Sequence, residues 1–109
     1  MINVHPTDKA PLTDISSNTK VAWIQYFIYN KNKCNENFSR LMPYATYFES
    51  ELASLVMNTQ DSLYFHLMND SFKLNKESDN MAFFFPLFKE YCEQCQKLKK
   101  YIVTSIHYK

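Results

Sequence analysis

Two cysteines with Cys-x-x-Cys spacing, Cys92 and Cys95, are the residues whose types and spacing first suggest chemistry. A zinc site would need further ligands, and the sequence offers only Cys34 and three distant histidines. A thioredoxin-type site would open a helix after a strand, whereas this pair falls in the middle of a helical pattern. Cys95 lies on the apolar positions of that pattern, where a free cysteine packs as a small hydrophobe. We therefore predict packing and no metal or cofactor, with a metal or redox role for the three thiols as the weaker alternative.

His66 is followed four residues later by Asp70, a spacing at which a carboxylate can orient an imidazole on a helix surface. A hydrolase would also need a nucleophile and an oxyanion hole, and the sequence indicates neither. The chain has no glycine, which excludes the phosphate-binding loops of nucleotide-dependent enzymes. We interpret His66 as structural and predict that the chain is not an enzyme and has no catalytic residues.

Lysines and tyrosines concentrate towards residue 109, and this combination can contact phosphates and stack on bases. The formal net charge is only +1, so no overall positive field favours nucleic acid. A solvated helix end, where cations complement the helix dipole, explains the same lysines. Binding to nucleic acid is therefore the second-ranked function, and its candidate contacts are Lys97, Lys99, Lys100, Tyr101 and Lys109.

Aromatic residues make up 17% of the chain, which predicts more large apolar surface than a 109-residue core can hide. In the run at 83–85, helical spacing assigns Phe84 to a core face together with Phe88, so the two neighbouring rings are left for another contact. The earlier segment VAWIQYFIYN is apolar nearly all round and is predicted to be a central or interface helix. The candidate partner-binding residues are Phe83, Phe85, Trp23 and Tyr26.

A helical scaffold must position these residues, because hairpin turns depend on glycine and the chain has none. The predicted fold is all-α: a small antiparallel bundle of three to four helices with an extended N-terminal arm over 1–17. The chain of 109 residues is short enough to be a single helical domain over 1–109. Apolar spacing predicts helices over about 18–31, 40–58, 61–74 and 80–107.

Two of these boundaries have alternatives. The polar stretch KNKCNEN is predicted to be a connector, and Pro43 is predicted to lie in the first turn of the second helix, with a kinked earlier helix as the alternative. No glycine or proline forces a break at 58–61, so one helix over 42–74 is the alternative to two. The apolar seam predicted around the second helix is Phe38, Leu41, Ala45, Phe48, Leu52 and Leu55.

The first residues lack the apolar stretch of a signal peptide, and no window reaches the roughly 18 apolar residues of a membrane span. An odd number of cysteines fits free thiols in a reducing compartment, so we expect no membrane partner and a cytoplasmic location in the native or a host cell. The predicted function is a non-enzymatic protein-interaction module that binds a larger protein. The type we expect is a small inhibitor, immunity protein or adaptor of a phage, a plasmid or a low-GC host. The sequence leaves open whether the protein also binds a second copy of itself as a homodimer.

Overall fold

The structure, a computed structural model, describes residues 5–11, 19–74 and 80–107. These residues form three α-helices: α1 (Thr19–Leu41), α2 (Tyr47–Met68) and α3 (Asn80–His107). A short 3-10 turn, Met42–Tyr44, lies between the first two helices, and the described residues contain no β-strand. The all-α prediction is confirmed, with three helices in the bundle.

Helix directions follow from which residues meet. Trp23 near the start of α1 contacts Phe84 near the start of α3, and further along both helices Cys34 contacts Cys95. The contacts advance in the same direction along the two helices, so α1 runs parallel to α3. Helix α2 runs antiparallel to α1, because Lys20 at the start of α1 donates to the carbonyl of Asn69 just after α2, at 2.5 Å. The bundle is therefore up-down-up, with α2 packed against both other helices.

The range predicted for the first helix, about 18–31, needs correction, since α1 continues to Leu41 through the polar stretch KNKCNEN. Within that stretch Cys34 is buried, and Phe38 and Leu41 continue the same three-four spacing of buried residues. Packing of this stripe outweighs the weak helix propensity of the intervening asparagines.

The second helix was predicted to begin near Arg40 with Pro43 in its first turn, and this also needs correction. Pro43 lies in the 3-10 turn, where its missing N–H is no loss. The chain then becomes extended at Ala45 and Thr46, and α2 begins at Tyr47.

A single helix, α2, replaces the two helices predicted over 40–58 and 61–74. It passes through 58–61 without a break because Val56, Gln60 and Leu63 are buried in one continuous stripe. Helix α2 ends at Met68, so the one-helix alternative over 42–74 was too long at both ends. Phe72 and Leu74 are nevertheless buried, because the connection packs back on the core.

Helix α3 spans Asn80–His107, which coincides with the predicted range. Pro86 lies inside this continuous helix, on an exposed position. Of the predicted arm, residues 5–11 are not helical, and the Thr7 backbone N–H donates to the Gln25 carbonyl at 3.2 Å. The other residues of that arm lie outside the part of the chain that the structure describes. Across the described helices, none combines the length and apolar character of a membrane-spanning segment.

Candidate functional site

Three of the four predicted partner-binding residues meet where α1 and α3 begin. The ring of Trp23 lies 4.9 Å from that of Phe85 and 5.3 Å from that of Phe88, measured between centroids. Tyr26 stacks on Phe88 at 5.4 Å. Trp23 is only 7% exposed and belongs to the core, whereas Tyr26 and Phe85 are half-buried. Together they line a shallow groove of about 350 Å³ between the two helices.

Phe83, the fourth predicted residue, lies on a different side of the bundle. Its ring is 51% exposed and stands edge-on to His66 of α2, with centroids 5.2 Å apart. His66 also packs against Phe72 at 5.0 Å. The structure therefore separates Phe83 from the other three residues and surrounds His66 with rings.

The face that contains Phe83 forms a groove between α2 and α3, here called the α2/α3 groove. Three-four spacing places Phe83, Gln94 and Tyr101 on one stripe of α3. The opposite wall comes from α2, chiefly Phe48, Leu52, Leu55 and Thr59.

The widest part of the α2/α3 groove lies beside the start of α2 and has a volume of about 690 Å³. In this part Phe48 is 66% exposed, and Tyr101 on the opposite wall is 48% exposed. Leu55, which lines the neighbouring narrower part, is 62% exposed. Lys97 and Lys100 also line the widest part, on the α3 side. An apolar floor with positive charge along one edge is thus the main exposed feature of this face.

Phe48 and Leu55 were predicted to form part of the core seam, and this needs correction, since both are exposed. Leu52, predicted on the same seam, is half-buried and packs against the core. The core stripe of α2 is shifted by one residue and contains two polar side chains, Glu49 and Gln60, among buried apolar ones. Because of these polar side chains, the core stripe of α2 does not stand out as an apolar pattern in the sequence. The apolar residues beside them therefore face the α2/α3 groove, where sequence reasoning did not look for a binding surface.

The predicted nucleic-acid contacts are divided between two faces. Lys97, Lys100 and Tyr101 line the α2/α3 groove, while Lys99 lines a groove between α1 and α3. Lys109 lies outside the described residues.

All three cysteines line that second groove, here called the thiol groove, which has a volume of about 220 Å³. Cys34 reaches it from α1, and Cys92 and Cys95 reach it from α3. Sequence reasoning grouped these three thiols only as a weaker alternative, because it ended the first helix before Cys34 and so did not place that residue beside α3. Among the described residues, no three His, Cys, Asp or Glu side chains come together as a metal site.

The thiols of the groove differ in their protonation. A hydrogen bond from Cys95 lowers the pKa of Cys34, against the opposing effect of burial. The same contact, together with burial, holds the pKa of Cys95 far above its ordinary value. Burial raises the pKa of Cys92 to about 11. Of the three thiols of the groove, Cys34 is therefore the one that gives up its proton most readily.

Two buried polar contacts hold α2 and α3 in register behind the α2/α3 groove. The hydroxyl of Tyr91 donates to Oε1 of Gln60 at 2.6 Å, and burial raises the pKa of Tyr91 well above its ordinary value. Nearer the end of α3, the Ser105 hydroxyl donates to Oε2 of Glu49 at 3.1 Å.

Comparison with protein-family models, with curated proteins and with solved structures finds no match for this chain in any of the three. What supports a function is therefore the geometry of the two grooves. The α2/α3 groove offers exposed apolar rings beside lysines, and the thiol groove brings three cysteine side chains together.

Proposed function

We propose that this chain is a non-enzymatic protein-interaction module that binds a larger protein through its α2/α3 groove. The observation that carries the proposal is the exposure of Phe48, about two-thirds open to solvent opposite Tyr101, and of Leu55, which is about equally open further along the same groove. Clustered apolar side chains of this kind mark interaction surfaces, and aromatic residues are enriched among those that contribute most to binding. A small inhibitor, immunity protein or adaptor of a phage, a plasmid or a low-GC host fits this mode of action.

The fold itself gives no reason for these apolar side chains. Phe48 lies in the first turn of α2, where the capping contacts are made by Thr46 and Glu49. Leu55 lies two turns further along and is likewise outside the core. Polar residues at both positions would serve the monomer equally well, so contact with a partner is the best account of them.

The charges of the groove indicate the chemistry of the partner segment. Lys97 and Lys100 flank the apolar floor on the α3 side. We expect the partner segment to be an amphipathic helix that inserts apolar side chains between α2 and α3 and carries acidic residues along the edge that faces these lysines. We expect such a helix to belong to a cytoplasmic protein.

A pull-down from the native cytosol tests this proposal with two matched variants. Phe48→Ser alters the groove, whereas Phe65→Ser alters a ring of equal exposure, 66%, on a different side of the same helix. We expect the wild type and Phe65→Ser to retain the same protein, identified by mass spectrometry, and Phe48→Ser to lose it. Equal retention by all three proteins would contradict the groove as the binding surface. Circular dichroism of each variant checks that the fold is kept.

A homodimer is the form of this proposal in which the partner is a second copy. Light scattering measures the mass in solution, and the dimer form requires Phe48→Ser to shift the mass towards the monomer. A wild-type protein that stays monomeric over the accessible concentration range would exclude the homodimer and leave the larger partner as the proposal.

The alternative function is that of a nucleic-acid-associated accessory protein, favoured by the shared position of Lys97, Lys100 and Tyr101 on one groove. Lysine contacts to phosphate weaken steeply with salt, and tyrosine can stack on bases. The test measures binding to random duplex and single strands at low ionic strength, with Lys97→Gln/Lys100→Gln as the variant. Loss of the pulled-down partner on nuclease treatment would favour this alternative, whereas no binding at low salt would end it.

A further inference from the structure

We propose that Cys34 and Cys95 form an oxidant-reactive dithiol, which a peroxide converts to a disulfide that joins α1 to α3. The site is distinct from the α2/α3 groove and does not depend on the proposed interaction.

The fold brings the two thiols together from positions far apart in the chain. Cys34 lies on α1 and Cys95 on α3, and the parallel arrangement of the helices brings both side chains to the thiol groove, where the Cys95 thiol acts on the pKa of Cys34. Cys34 is buried in the core, and Cys95 packs against the core from a half-buried position. A disulfide between them would therefore join α1 directly to α3.

The thiol groove gives a small oxidant access to the pair. Cys34 is only 3% exposed, yet it lines the groove together with Cys95. One water occupies about 30 Å³ of the liquid, so hydrogen peroxide, the size of roughly two waters, fits within the groove volume of about 220 Å³. Asn30, Asn37 and Gln96 are the uncharged polar side chains that line the same groove.

Protonation assigns different roles to the two cysteines. A hydrogen bond from the Cys95 thiol lowers the pKa of Cys34, so Cys34 gives up its proton more readily than Cys95 does. Tyr91 also approaches the pair, but it has a single hydroxyl proton and donates it to Gln60 at 2.6 Å. Cys95 is therefore the main hydrogen-bond donor that favours ionisation of Cys34. The other charged or titratable side chains that line the groove are Tyr29, Lys33, Tyr91, Cys92 and Lys99.

The chemistry proceeds in two balanced steps. The Cys34 thiolate attacks one oxygen of hydrogen peroxide, the O–O bond breaks, and hydroxide leaves as Cys34 becomes a sulfenic acid. The Cys95 sulfur then attacks the sulfenic sulfur, its proton and the sulfenic hydroxyl leave as water, and the S–S bond forms. Peroxide accepts the two electrons that the dithiol gives up, and a reducing thiol reverses the product.

Cys92 is the internal competitor. It also lines the groove, but burial raises its pKa to about 11, so it remains a thiol at neutral pH. It lies three residues from Cys95 on the same helix, where a regular helix holds the two Cβ atoms about 5–6 Å apart, further than the roughly 3.5–4.5 Å that a disulfide needs. We therefore expect oxidation to pair Cys34 with Cys95 and to leave Cys92 free.

The test treats the full chain with hydrogen peroxide and maps the products by mass spectrometry without reduction. Trypsin releases Cys34 in the peptide CNENFSR, and a glutamyl endopeptidase cuts after Glu93 to separate Cys92 from Cys95. We expect the monomer to lose the mass of two hydrogen atoms and the Cys34 peptide to be linked to the Cys95 peptide. Dithiothreitol should restore the original masses.

Three variants make the result decisive. We expect Cys92→Ser to form the disulfide at a rate within about twofold of wild type, and Cys34→Ser and Cys95→Ser to form no intramolecular disulfide. A Cys92–Cys95 link, a bridge between two chains, or oxidation of Cys34 to sulfinic acid without a bridge would each overturn the proposal. The wild-type peptide map decides the matter even if one variant does not fold.

Discussion

Tyr91 makes the most deeply buried polar contact of the described core. Its hydroxyl donates to Oε1 of Gln60 at 2.6 Å, and the two residues are 1% and 4% exposed. A buried polar atom without a partner costs about 1–3 kcal/mol, so the contact specifies how α2 lies against α3. A slip of either helix by one residue would leave both groups unpaired.

We expect Tyr91→Phe to lower the free energy of unfolding by about 1–3 kcal/mol, because it leaves the Gln60 amide oxygen buried without its donor. Urea denaturation followed by circular dichroism measures the change. Adding Gln60→Leu to Tyr91→Phe should recover part of the loss, since both polar groups are then absent. A double variant that loses the full sum of the two single effects would contradict this account.

The buried thiol of Cys92 makes stability depend on alkaline pH. Burial raises its pKa to about 11, with the negative charges of Cys34 and Glu93 as smaller causes. In the unfolded chain the thiol titrates near its ordinary pKa of 9.0, so between these values the unfolded state releases the proton first. The contribution of Cys92 to stability is thus complete below about pH 9 and is lost as the pH rises towards 11.

We expect the free energy of unfolding of wild type to fall by roughly 1 kcal/mol more than that of Cys92→Ala between about pH 9 and pH 10.5. Urea titrations at a series of pH values measure both slopes. Cys95 and Tyr91, whose pKa values are also raised, contribute a fall of the same sign in both proteins, so the difference isolates Cys92. Parallel slopes in the two proteins would show that Cys92 titrates normally.

At the scale of elements, α2 begins with a reciprocal pair of hydrogen bonds. The Thr46 side chain accepts from the backbone N–H of Glu49 at 3.1 Å, and Oε1 of Glu49 accepts from the backbone N–H of Thr46 at 3.0 Å. This capping box satisfies N–H groups that the first helical turn leaves without partners. Because Glu49 also accepts from Ser105, the start of α2 is tied to the last turns of α3.

Thr46→Ala should lower the free energy of unfolding by about 1 kcal/mol, the usual cost of losing an N-cap side chain. Thr104→Ala is the matched control, because Thr104 is exposed on α3. Thermal denaturation of the two variants makes the comparison. Equal melting temperatures would show that the cap adds nothing to the stability of α2.

Pro86 is the residue whose helix propensity conflicts most with its position inside a helix. It lies within α3, where it cannot donate to the carbonyl of Ala82, and an interior proline costs a helix about 3 kcal/mol. Proline also restricts the conformations of the unfolded chain, and this offsets up to about 1 kcal/mol of that cost. We expect Pro86→Ala to raise the free energy of unfolding by about 1–2 kcal/mol, measured by urea denaturation, and a loss of stability would contradict this expectation.

Helices α2 and α3 differ in how far the sequence could predict their buried faces. On α3 the three-four pattern predicted a packed face, and its members Phe84, Phe88 and Leu98 are all buried. On α2 the same rule chose the wrong stripe, because Glu49 and Gln60 occupy core positions that only their distant partners make acceptable. A pattern of apolar residues cannot show such a partner.

At the scale of the whole molecule, α3 forms a wall of both grooves. Phe83 and Tyr101 lie on its α2 side, while Phe85 and Cys92 lie on its α1 side. The sequence could not show which side of α3 each candidate residue faces, because the faces depend on the positions of α1 and α2. It grouped Phe83 with Phe85, and Lys99 with Lys100, and the structure puts the members of each pair on different faces.

The division also keeps the two proposals independent. Phe48→Ser changes the α2/α3 groove and leaves the thiols in place, whereas Cys34→Ser changes only the thiol groove. Oxidation can therefore be measured in a protein that has lost its partner, and partner binding can be measured in a protein that lacks the dithiol.

The parallel arrangement of α1 and α3 has a consequence for the order of folding. Contacts of α2 with its neighbours join segments that follow each other in the chain, but contacts between Trp23 and the rings of α3 must close a loop that contains all of α2. Closing this loop costs conformational entropy before the contacts across it can stabilise the structure. We therefore expect the α1–α3 interface to form last. Phe85→Ala, which removes a ring from that interface, should mainly speed unfolding and give a φ-value near zero. Val56→Ala on α2 should slow folding and give a higher φ-value. Stopped-flow measurements with the chain's single tryptophan as the reporter give both φ-values. A higher φ-value for Phe85→Ala than for Val56→Ala would contradict this order of folding.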